Sequence, residues 1–331
     1  MTKKSKIIIA TFVGLVLVAF LLFKFLSPKS EPEKITIGYS QLRISLPIFV
    51  AQEKGLFKKY GLDVELKPYP TAQPMMEALV SGNIDVAGYC ALPITFGTMA
   101  KSTDNKELVF ISAILEDDSR QISKLIAKAN ARIDSIKDLK GKRIGILPTR
   151  AYEVRLKQIL ESNGLDVDKD QIIIQQVAPD LQKDALEKGT IQALFSNDPM
   201  TSIIISKGIG KDLSPDINLL AKTTGISPFY FGSFNVSKKF ADANSDVTKK
   251  ISLALDEAID FINNDYKSAY VLMGKYFDPK FANLTDKYPK PFFKKTNEIS
   301  NTDLIKMRQF YFENKILAKE LPLTNAQFER K

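Results

Sequence analysis

The sequence predicts an α/β protein built from two similar lobes, each a mostly parallel sheet flanked by helices. Segments with alternating β-branched residues are followed by segments with helical apolar spacing, in the order strand, helix, strand, helix, strand. The stretch ALVSGNIDVA, at positions 78–87, recurs in similar form as ALEKGTIQAL at positions 185–194. Because this alternating order is typical of parallel sheets covered by helices on both faces, two α/β lobes are expected.

The first half begins with KITIGYS, an alternating segment that predicts a strand. LPIFVAQEKGLFKKYG predicts a helix, with Pro47 in its first turn and Gly55 and Gly61 as candidate C-terminal caps. LDVELKPY predicts a second strand, AQPMMEALVSG a second helix and NIDVAGY a third strand. Together these segments form one βαβαβ unit.

The second half repeats this order with GKRIGILPT, AYEVRLKQILESNG, LDVDKDQIIIQQV, PDLQKDALEKG and TIQALFSNDP. Gly38 maps to Gly145 and Gly82 to Gly189 with an identical offset, and the glycine before each LDV repeats at a slightly shorter one. Units of this type resemble one another in many proteins, so a single match is weak. Three matches in the same order favour a duplicated pair of lobes.

Composition narrows the functions that the chain can have. Its 331 residues contain no histidine and a single cysteine, Cys90, so we expect no metal site and no cofactor, and few groups for acid–base catalysis. The net charge of +9 includes five lysines in the first thirty residues, and the remaining basic residues are interspersed with acids. This pattern does not indicate nucleic-acid binding.

The segment at positions 7–26 is an apolar run with one charge, Lys24, and it is long enough to cross a bilayer. Lysines before this run favour a cytoplasmic N-terminus, so the residues after about 27 are expected outside the cell membrane. A cleaved signal peptide is the alternative, but its apolar core is usually shorter, about 7–15 residues. We therefore predict that residues 1–34 form an uncleaved anchor followed by a short stalk.

Ligands of open parallel sheets bind beyond the carboxyl ends of the strands, where loops and helix N-termini converge. If two such lobes face each other, the loops after Tyr39, Tyr89, Leu147 and Ser196 line one cleft. The sequence therefore predicts a ligand site between the lobes.

The strings LPIFVAQEKGLFKKYGLDVEL, ALVSGNIDVAGY and IDSIKDLKGKRIGI carry a resemblance to a known family. They resemble the periplasmic substrate-binding proteins of ABC importers for nitrate, sulfonate, taurine and thiamine-pyrimidine compounds, the NMT1/THI5-like family. The resemblance covers roughly residues 35–267. It implies a hinged, two-lobed fold of the type II periplasmic-binding-protein class that closes on a small solute and delivers it to a membrane permease.

The resemblance also implies where the lobes begin and end, because in this family the chain crosses between lobes twice. Lobe 1 is expected at 35–118 and 226–331, and lobe 2 at 119–225. We expect a monomer in the periplasmic or extracytoplasmic space, tethered to the inner (cytoplasmic) membrane by its N-terminal helix. Many members of the family that this sequence resembles are cleaved or lipidated, and this sequence has no cysteine at the end of the apolar run to carry a lipid.

Residues at the strand ends and near the second crossing are the candidates for ligand binding. They are Ser40, Gln41, Arg43, Tyr89, Cys90, Ala91, Thr149, Arg150, Asn197, Asp198, Phe229 and Tyr230. Thr149 and Arg150, at the start of a predicted helix, combine free amides with a guanidinium and suit an anion. Asp198 suits a ligand ammonium or amidine group, or simply caps a helix.

The other candidates each have a plain structural interpretation as well. Phe229 and Tyr230 suit stacking on a flat ligand, although most aromatic residues in such runs belong to the core. Cys90 is expected to fill buried space rather than to react. The segment LEDDSR, residues 115–120, is interpreted as a solvated loop.

These observations favour a transport-binding protein for a small sulfonate, taurine-like or related organic solute. An aminosulfonate would use both Arg150 and Asp198, whereas a thiamine-type pyrimidine would use Asp198 and Tyr230. Two further hypotheses stay open on the sequence alone: an enzyme on the same fold, and an extracytoplasmic sensor that presents its ligand to a separate membrane protein.

Overall fold

The computed structural model describes residues 33–101, 108–276 and 289–321. The described residues from Lys34 onward belong to one compact unit. The predicted anchor at 7–26 and nearly all of the predicted stalk lie outside the described residues. Within the three described ranges, no helix is both long enough and apolar enough to cross a bilayer.

The first sheet contains six described strands, β1 Glu33–Ser40, β2 Leu62–Tyr69, β3 Val86–Ala91, β4 Leu108–Glu116, β10 Phe229–Ser237 and β11 Phe292–Lys294. Their order across the sheet is β11-β4-β10-β3-β1-β2. The helices from the same parts of the chain are α1 Leu46–Glu53, α2 Leu56–Lys59, α3 Ala72–Ser81, α4 Leu92–Lys101, α9 Lys238–Ala243, α10 Ser245–Asn264, α11 Tyr266–Leu272 and α12 Asn301–Glu313. The helices α1 and α10 pack together over this sheet, burying Phe49, Leu255 and Ile259.

The second sheet contains five described strands, β5 Ser123–Lys128, β6 Arg143–Ile146, β7 Ile173–Gln176, β8 Ala193–Asn197 and β9 Gly210–Asp212. Their order across the sheet is β7-β6-β8-β5-β9. Its helices are α5 Arg150–Ser162, α6 Gln182–Lys188, α7 Met200–Ser206 and α8 Leu219–Thr224. The fold is therefore α/β with two helix-flanked sheets, as the sequence predicts.

Both sheets are mixed, which corrects the prediction of mostly parallel sheets. The pairs β1–β3, β6–β7 and β6–β8 are parallel. However, β10 runs antiparallel to β3 and β4, and β5 runs antiparallel to β8 and β9. The cause is the chain path: β5 enters the second sheet from β4, and β10 returns from the second sheet. A strand that enters from the opposite sheet runs against the strands of the βαβ units.

The two halves pair their strands in the same register. In the first half, Ile37 lies opposite Val86 across the β1–β3 pair. In the second half, Ile144 lies opposite Ala193 across the β6–β8 pair. Ile144 follows Ile37, and Ala193 follows Val86, by the same number of residues that separates Gly145 from Gly38. The duplication predicted from sequence spacing is therefore present in the strand pairing.

The first predicted helix differs from its expected length. The segment LPIFVAQEKGLFKKYG forms two helices, α1 and α2, separated at Gly55. Gly55 has a φ of 65°, a left-handed conformation that favours glycine and interrupts a right-handed helix. Gly61 also has a positive φ, in keeping with its predicted position at a helix end.

The chain passes between the sheets at two places, which we name the first crossing, residues 117–122, and the second crossing, residues 225–228. Every described strand of the first sheet comes from before the first crossing or after the second. The predicted lobe boundaries, 35–118 with 226–331 and 119–225, agree with this strand membership and stay a prediction.

Candidate functional site between the lobes

An ion pair joins the loop after β1 to the loop after β8. Arg43 lies in the short 3₁₀ turn Arg43–Ser45, and its Nη2 is 2.5 Å from Oδ2 of Asp198. The two side chains are only 8% and 5% exposed. Because the two loops belong to different sheets, this contact places the carboxyl ends of β1 and β8 against each other.

Both charged groups have additional partners. Two hydroxyl groups at the start of α7 donate to Oδ1 of Asp198: Thr201 Oγ1 at 2.7 Å and Ser202 Oγ at 2.6 Å. Arg43 donates through Nη1 to the carbonyl oxygen of Pro289. Hydrogen bonds to ionised groups are stronger than neutral ones, so the pair is firmly held. Asp198 thus accepts from side chains at the start of α7, rather than from backbone amides as a capping residue would.

A small cavity of about 10 Å³ adjoins this pair. It is lined by Leu42, Arg43, Ile44, Ile114, Ile122, Asp198 and Pro199. Such a volume holds roughly one water molecule. The charged pair and its apolar surroundings therefore leave space for no more than about one water molecule between the two loops.

Tyr266, the first residue of α11, lies close to the same charges. Burial raises the pKa of its hydroxyl, and the neighbouring Arg43 guanidinium lowers it. The net effect is a raised pKa, so the hydroxyl keeps its proton and can donate. A neutral donor beside the Arg43–Asp198 pair adds a polar group that sequence reasoning did not single out.

The first two candidates lie next to Arg43 in the chain. Ser40 ends β1 and is buried, and its backbone N–H donates to Ser45 Oγ at 3.3 Å. Gln41 is exposed. The structure brings Arg43 and Asp198 together among the predicted ligand residues, with Ser40 and Gln41 in the same loop.

The candidates at the end of β3 lie in the core of the first sheet. Tyr89 is fully buried, and its hydroxyl lies 2.8 Å from Ser112 Oγ. Burial raises the pKa of Tyr89 and of the fully buried Cys90 thiol, so neither group ionises readily. Ala91 is half-buried at the strand end.

Thr149 and Arg150 stand at the start of α5. Thr149 Oγ1 accepts from the backbone N–H of Tyr152 at 3.4 Å, so it caps this helix. The Arg150 side chain is 52% exposed and pairs with Glu153 at 3.2 Å on the same helix. Arg150 therefore lies in a much more solvated position than Arg43.

The remaining candidates, Asn197, Phe229 and Tyr230, belong to strands. Asn197 pairs with Ser123 at the end of β8. Phe229 and Tyr230 begin β10 and are fully buried, and the Tyr230 hydroxyl accepts the backbone N–H of Ser300 at 2.8 Å. Burial raises the pKa of Tyr230 to about 12. The ligand-binding roles of all twelve candidates stay predictions.

One sequence interpretation needs correction. The segment LEDDSR was expected to be a solvated loop, but Leu115 and Glu116 end β4 and are fully buried. The apolar run VFISAIL before Glu116 was the available signal, because it continues a buried strand up to the acid. Thr201 and Ser202 were also missed, although their spacing of three and four residues from Asp198 suits contacts within one helical turn.

The comparisons with known proteins agree with this architecture. The model of the NMT1/THI5-like family matches residues 44–269, more than half of the chain. A Bacillus subtilis (strain 168) protein named for aliphatic sulfonate binding is 25% identical over 300 residues, which cover 87% of this chain and 84% of the relative. The nitrate/nitrite binding protein NrtA of Nostoc is 23% identical over 56% of this chain and 45% of its own length.

Two solved structures show the same fold. The periplasmic aliphatic sulphonate binding protein SsuA from Escherichia coli matches with a TM-score of 0.71 and 19% identity, over 90% of this chain and 98% of its own. The periplasmic nitrate-binding protein NrtA from Synechocystis PCC 6803 matches with a TM-score of 0.61 and 14% identity, over 85% and 82%. The relatives and neighbours named here are binding proteins and not enzymes.

Proposed function

The chain belongs to the NMT1/THI5-like family, and from this premise we propose that it is the extracytoplasmic solute-binding protein of an ABC importer. It captures a small sulfonate, taurine-like or related organic solute between its two lobes and delivers it to a permease. The sulfonate- and nitrate-binding proteins among its relatives support this class of solute.

The buried Arg43–Asp198 pair is the observation that carries the proposal. A guanidinium binds oxyanions through several parallel N–H donors, and a sulfonate group offers acceptor oxygens much as the Asp198 carboxylate does. We therefore expect the solute anion to take the place of Asp198 beside Arg43 when the lobes separate and close again.

An aminosulfonate is the solute that fits both charges. Once Arg43 binds an anion, Asp198 keeps Thr201 and Ser202 as donors but loses its cation. A ligand ammonium group restores a positive partner, whereas a simple sulfonate leaves a buried carboxylate without one, which is costly. A thiamine-type pyrimidine has less support, because the Tyr230 hydroxyl already binds the Ser300 amide.

The N-terminal segment completes the proposal. Residues 7–26 hold the chain to the outer face of the cytoplasmic membrane, and the binding unit works there as a monomer beside its permease. Alkaline extraction of membranes tests the tether: the full chain should stay with the membrane fraction, and a chain starting at Lys34 should be released. Release of both proteins, or a mature N-terminus near residue 27, would favour a cleaved signal peptide.

Calorimetry on the full chain in detergent tests the solute class, with taurine, ethanesulfonate, nitrate and an aminopyrimidine as probes. We expect taurine to bind most tightly and Arg43→Gln to weaken it by about 1.5–3 kcal/mol, the value of a hydrogen bond to a charged group. Arg132→Gln, at an exposed arginine, is the matched control and should leave binding unchanged. Absence of heat with all four probes would contradict the proposed function.

A further inference from the structure

A second buried acidic residue lies at the first crossing. Glu116 ends β4, and its side chain is wholly buried. Its Oε2 accepts the backbone N–H groups of Ile122 at 3.0 Å and Ser123 at 2.9 Å, and its Oε1 accepts the Ser123 hydroxyl at 3.0 Å. The Glu116 side chain thus connects the end of β4, in the first sheet, to Ile122 and Ser123 at the start of β5, in the second sheet.

Burial and the polar surroundings of Glu116 act on its pKa in opposite directions, and the net effect is a raised pKa. Burial raises the pKa of Glu116, and the hydrogen bonds from Ser123 and Ile122 and the charge of Arg155 lower it. Arg155 lies on α5, is 2% exposed and donates to the Tyr311 hydroxyl at 2.5 Å. The Glu116 carboxyl group and the Arg155 guanidinium are therefore both buried near the crossing, where an uncompensated charge would be costly.

Ile122 connects this carboxylate to the site between the lobes. The N–H group of Ile122 is held by Glu116, and its carbonyl oxygen accepts the backbone N–H of Asp198 at 2.9 Å. The Ile122 side chain also lines the cavity beside Arg43 and Asp198. The path from Glu116 to the Arg43–Asp198 pair therefore consists of two consecutive hydrogen bonds through one residue.

We propose that Glu116 is a positioning residue that holds Asp198, through Ile122, in the place where Asp198 pairs with Arg43. In this way the geometry of the first crossing sets how readily the two lobes separate. The inference rests on the proposed function in one respect, because it assumes that the solute binds at the Arg43–Asp198 pair, whose separation Glu116 influences. Glu116 does not touch the solute.

The test measures the distance between the lobes in the ligand-free full chain, by pulsed electron resonance of spin labels. The labels are attached at Glu65→Cys on β2 and Lys169→Cys before β7, both exposed positions, while native Cys90 is fully buried. Glu116→Gln keeps the shape but removes the charge and one acceptor. We expect the ratio of separated to closed molecules to rise about tenfold, as the loss of a charge-assisted hydrogen bond implies.

A double-mutant cycle separates positioning from a purely structural role. If Glu116 acts through Asp198, then Glu116→Gln should cause no further change in the Asp198→Asn background. Additive shifts, or an unchanged distance distribution in Glu116→Gln, would overturn the proposal. Glu257→Gln is the matched control, because Glu257 also accepts from two side chains, Lys59 and Tyr60, and should leave the distances unchanged.

A milder variant keeps the proposal testable if Glu116→Gln fails to fold. Ser123→Ala removes one of the three donors to Glu116, and we expect a shift towards separated lobes in the same direction, about threefold or less. No shift in Ser123→Ala would then count against the proposal. Since no solute is added, failure of the tested solutes to bind and failure of this inference are distinct results.

Discussion

Gly82 in the first half and Gly189 in the second close equivalent helices with the same backbone angles, φ 78° and ψ 17°. Ile84 and Ile191, which also occupy equivalent positions in the two halves, lie against Gly38 and Gly145 in the same way. The two halves therefore share these backbone angles and this contact. They differ in the first helix, which is interrupted in the first half only, and in the side chains at the strand ends.

Arg43 and Arg150 show that difference, because they too stand at equivalent positions of the two halves. Arg43 is buried and pairs with Asp198 across the lobes, whereas Arg150 is half exposed and pairs with Glu153 within its own helix. The position corresponding to Asp198 in the first half is Ala91. The duplication thus gives the two halves equivalent positions at their strand ends, and only the second half has an acid there, Asp198. The ion pair between the lobes therefore has no counterpart at Ala91.

The largest effect is expected for Asp198→Ala, which gives the second half the residue of the first. Removing one partner of a buried pair leaves Arg43 without its carboxylate, so we expect a loss of about 3–5 kcal/mol in the free energy of unfolding. Urea denaturation measures it. Ala91→Ser, at the equivalent position, should change stability by less than about 0.5 kcal/mol. A loss in Asp198→Ala as small as the one expected for Ala91→Ser would mean that the ion pair contributes little to stability.

The equivalence of Gly38 and Gly145 can be tested next. An added Cβ would lie 2.7 Å from Ile84 Cδ1 at Gly38 and 2.5 Å from Ile191 Cδ1 at Gly145. Crowding of this type costs about 1–3 kcal/mol, so both Gly→Ala variants should lose thermal stability by similar amounts. Ile191→Val, which deletes the crowding atom, should restore part of the loss in Gly145→Ala. A large loss in one half and none in the other would break the comparison.

A smaller effect is expected at the two helix-closing glycines. Gly82→Val and Gly189→Val place a β-branched residue in a left-handed conformation, which costs roughly 1–2 kcal/mol. At Gly82 the space around a Cβ is open, so the loss there, measured by urea denaturation, reports backbone strain alone. Gly97→Ala, inside α4 and equally open, is the control and should stabilise the protein by about 0.5–1 kcal/mol.

The smallest effect concerns Arg150→Ala. The sequence alone predicts that this change weakens an anionic ligand by about 1.5–3 kcal/mol if Arg150 makes a charged hydrogen bond. Since the structure shows Arg150 half exposed and paired with Glu153, we expect less than about 1 kcal/mol. Titration of taurine into Arg150→Ala and Arg43→Ala compares the two positions directly. A larger loss of taurine affinity in Arg150→Ala than in Arg43→Ala would indicate that the anion binds at the start of α5.

Much of the fold could be predicted because strands, helices and their glycine ends leave local signals. LDVELKPY is β2 from its first residue to its last, and Gly82 has the positive φ expected of a helix end. Mixed strand direction could not be predicted, because the spacing within β5 or β10 does not say which sheet the strand has left. That information depends on contacts far apart in the sequence.

The candidate site was predictable in part for the same reason. Arg43 and Asp198 could be named from their positions after strands, but their pairing over 155 residues leaves no local pattern. The burial of Glu116 was obscured by the acids and the arginine that follow it. Tyr266 carried no signal, since it belongs to a tail helix whose approach to Arg43 depends on tertiary packing alone.

Helix α12, the last helix in the described part of the chain, and the residue that follows it contact α5 through two hydrogen bonds, Arg155 to Tyr311 at 2.5 Å and Gln158 to Asn314 at 2.8 Å. Tyr311 and Asn314 each lie 156 residues after their partners on α5. A ribosome that translates about 5–20 residues per second therefore completes the two members of each pair roughly 8–30 s apart. During that interval the nascent α5 holds a guanidinium without its phenol partner. Stalled chains that end before Ser300 should therefore be cut by protease within α5, and finished chains should resist.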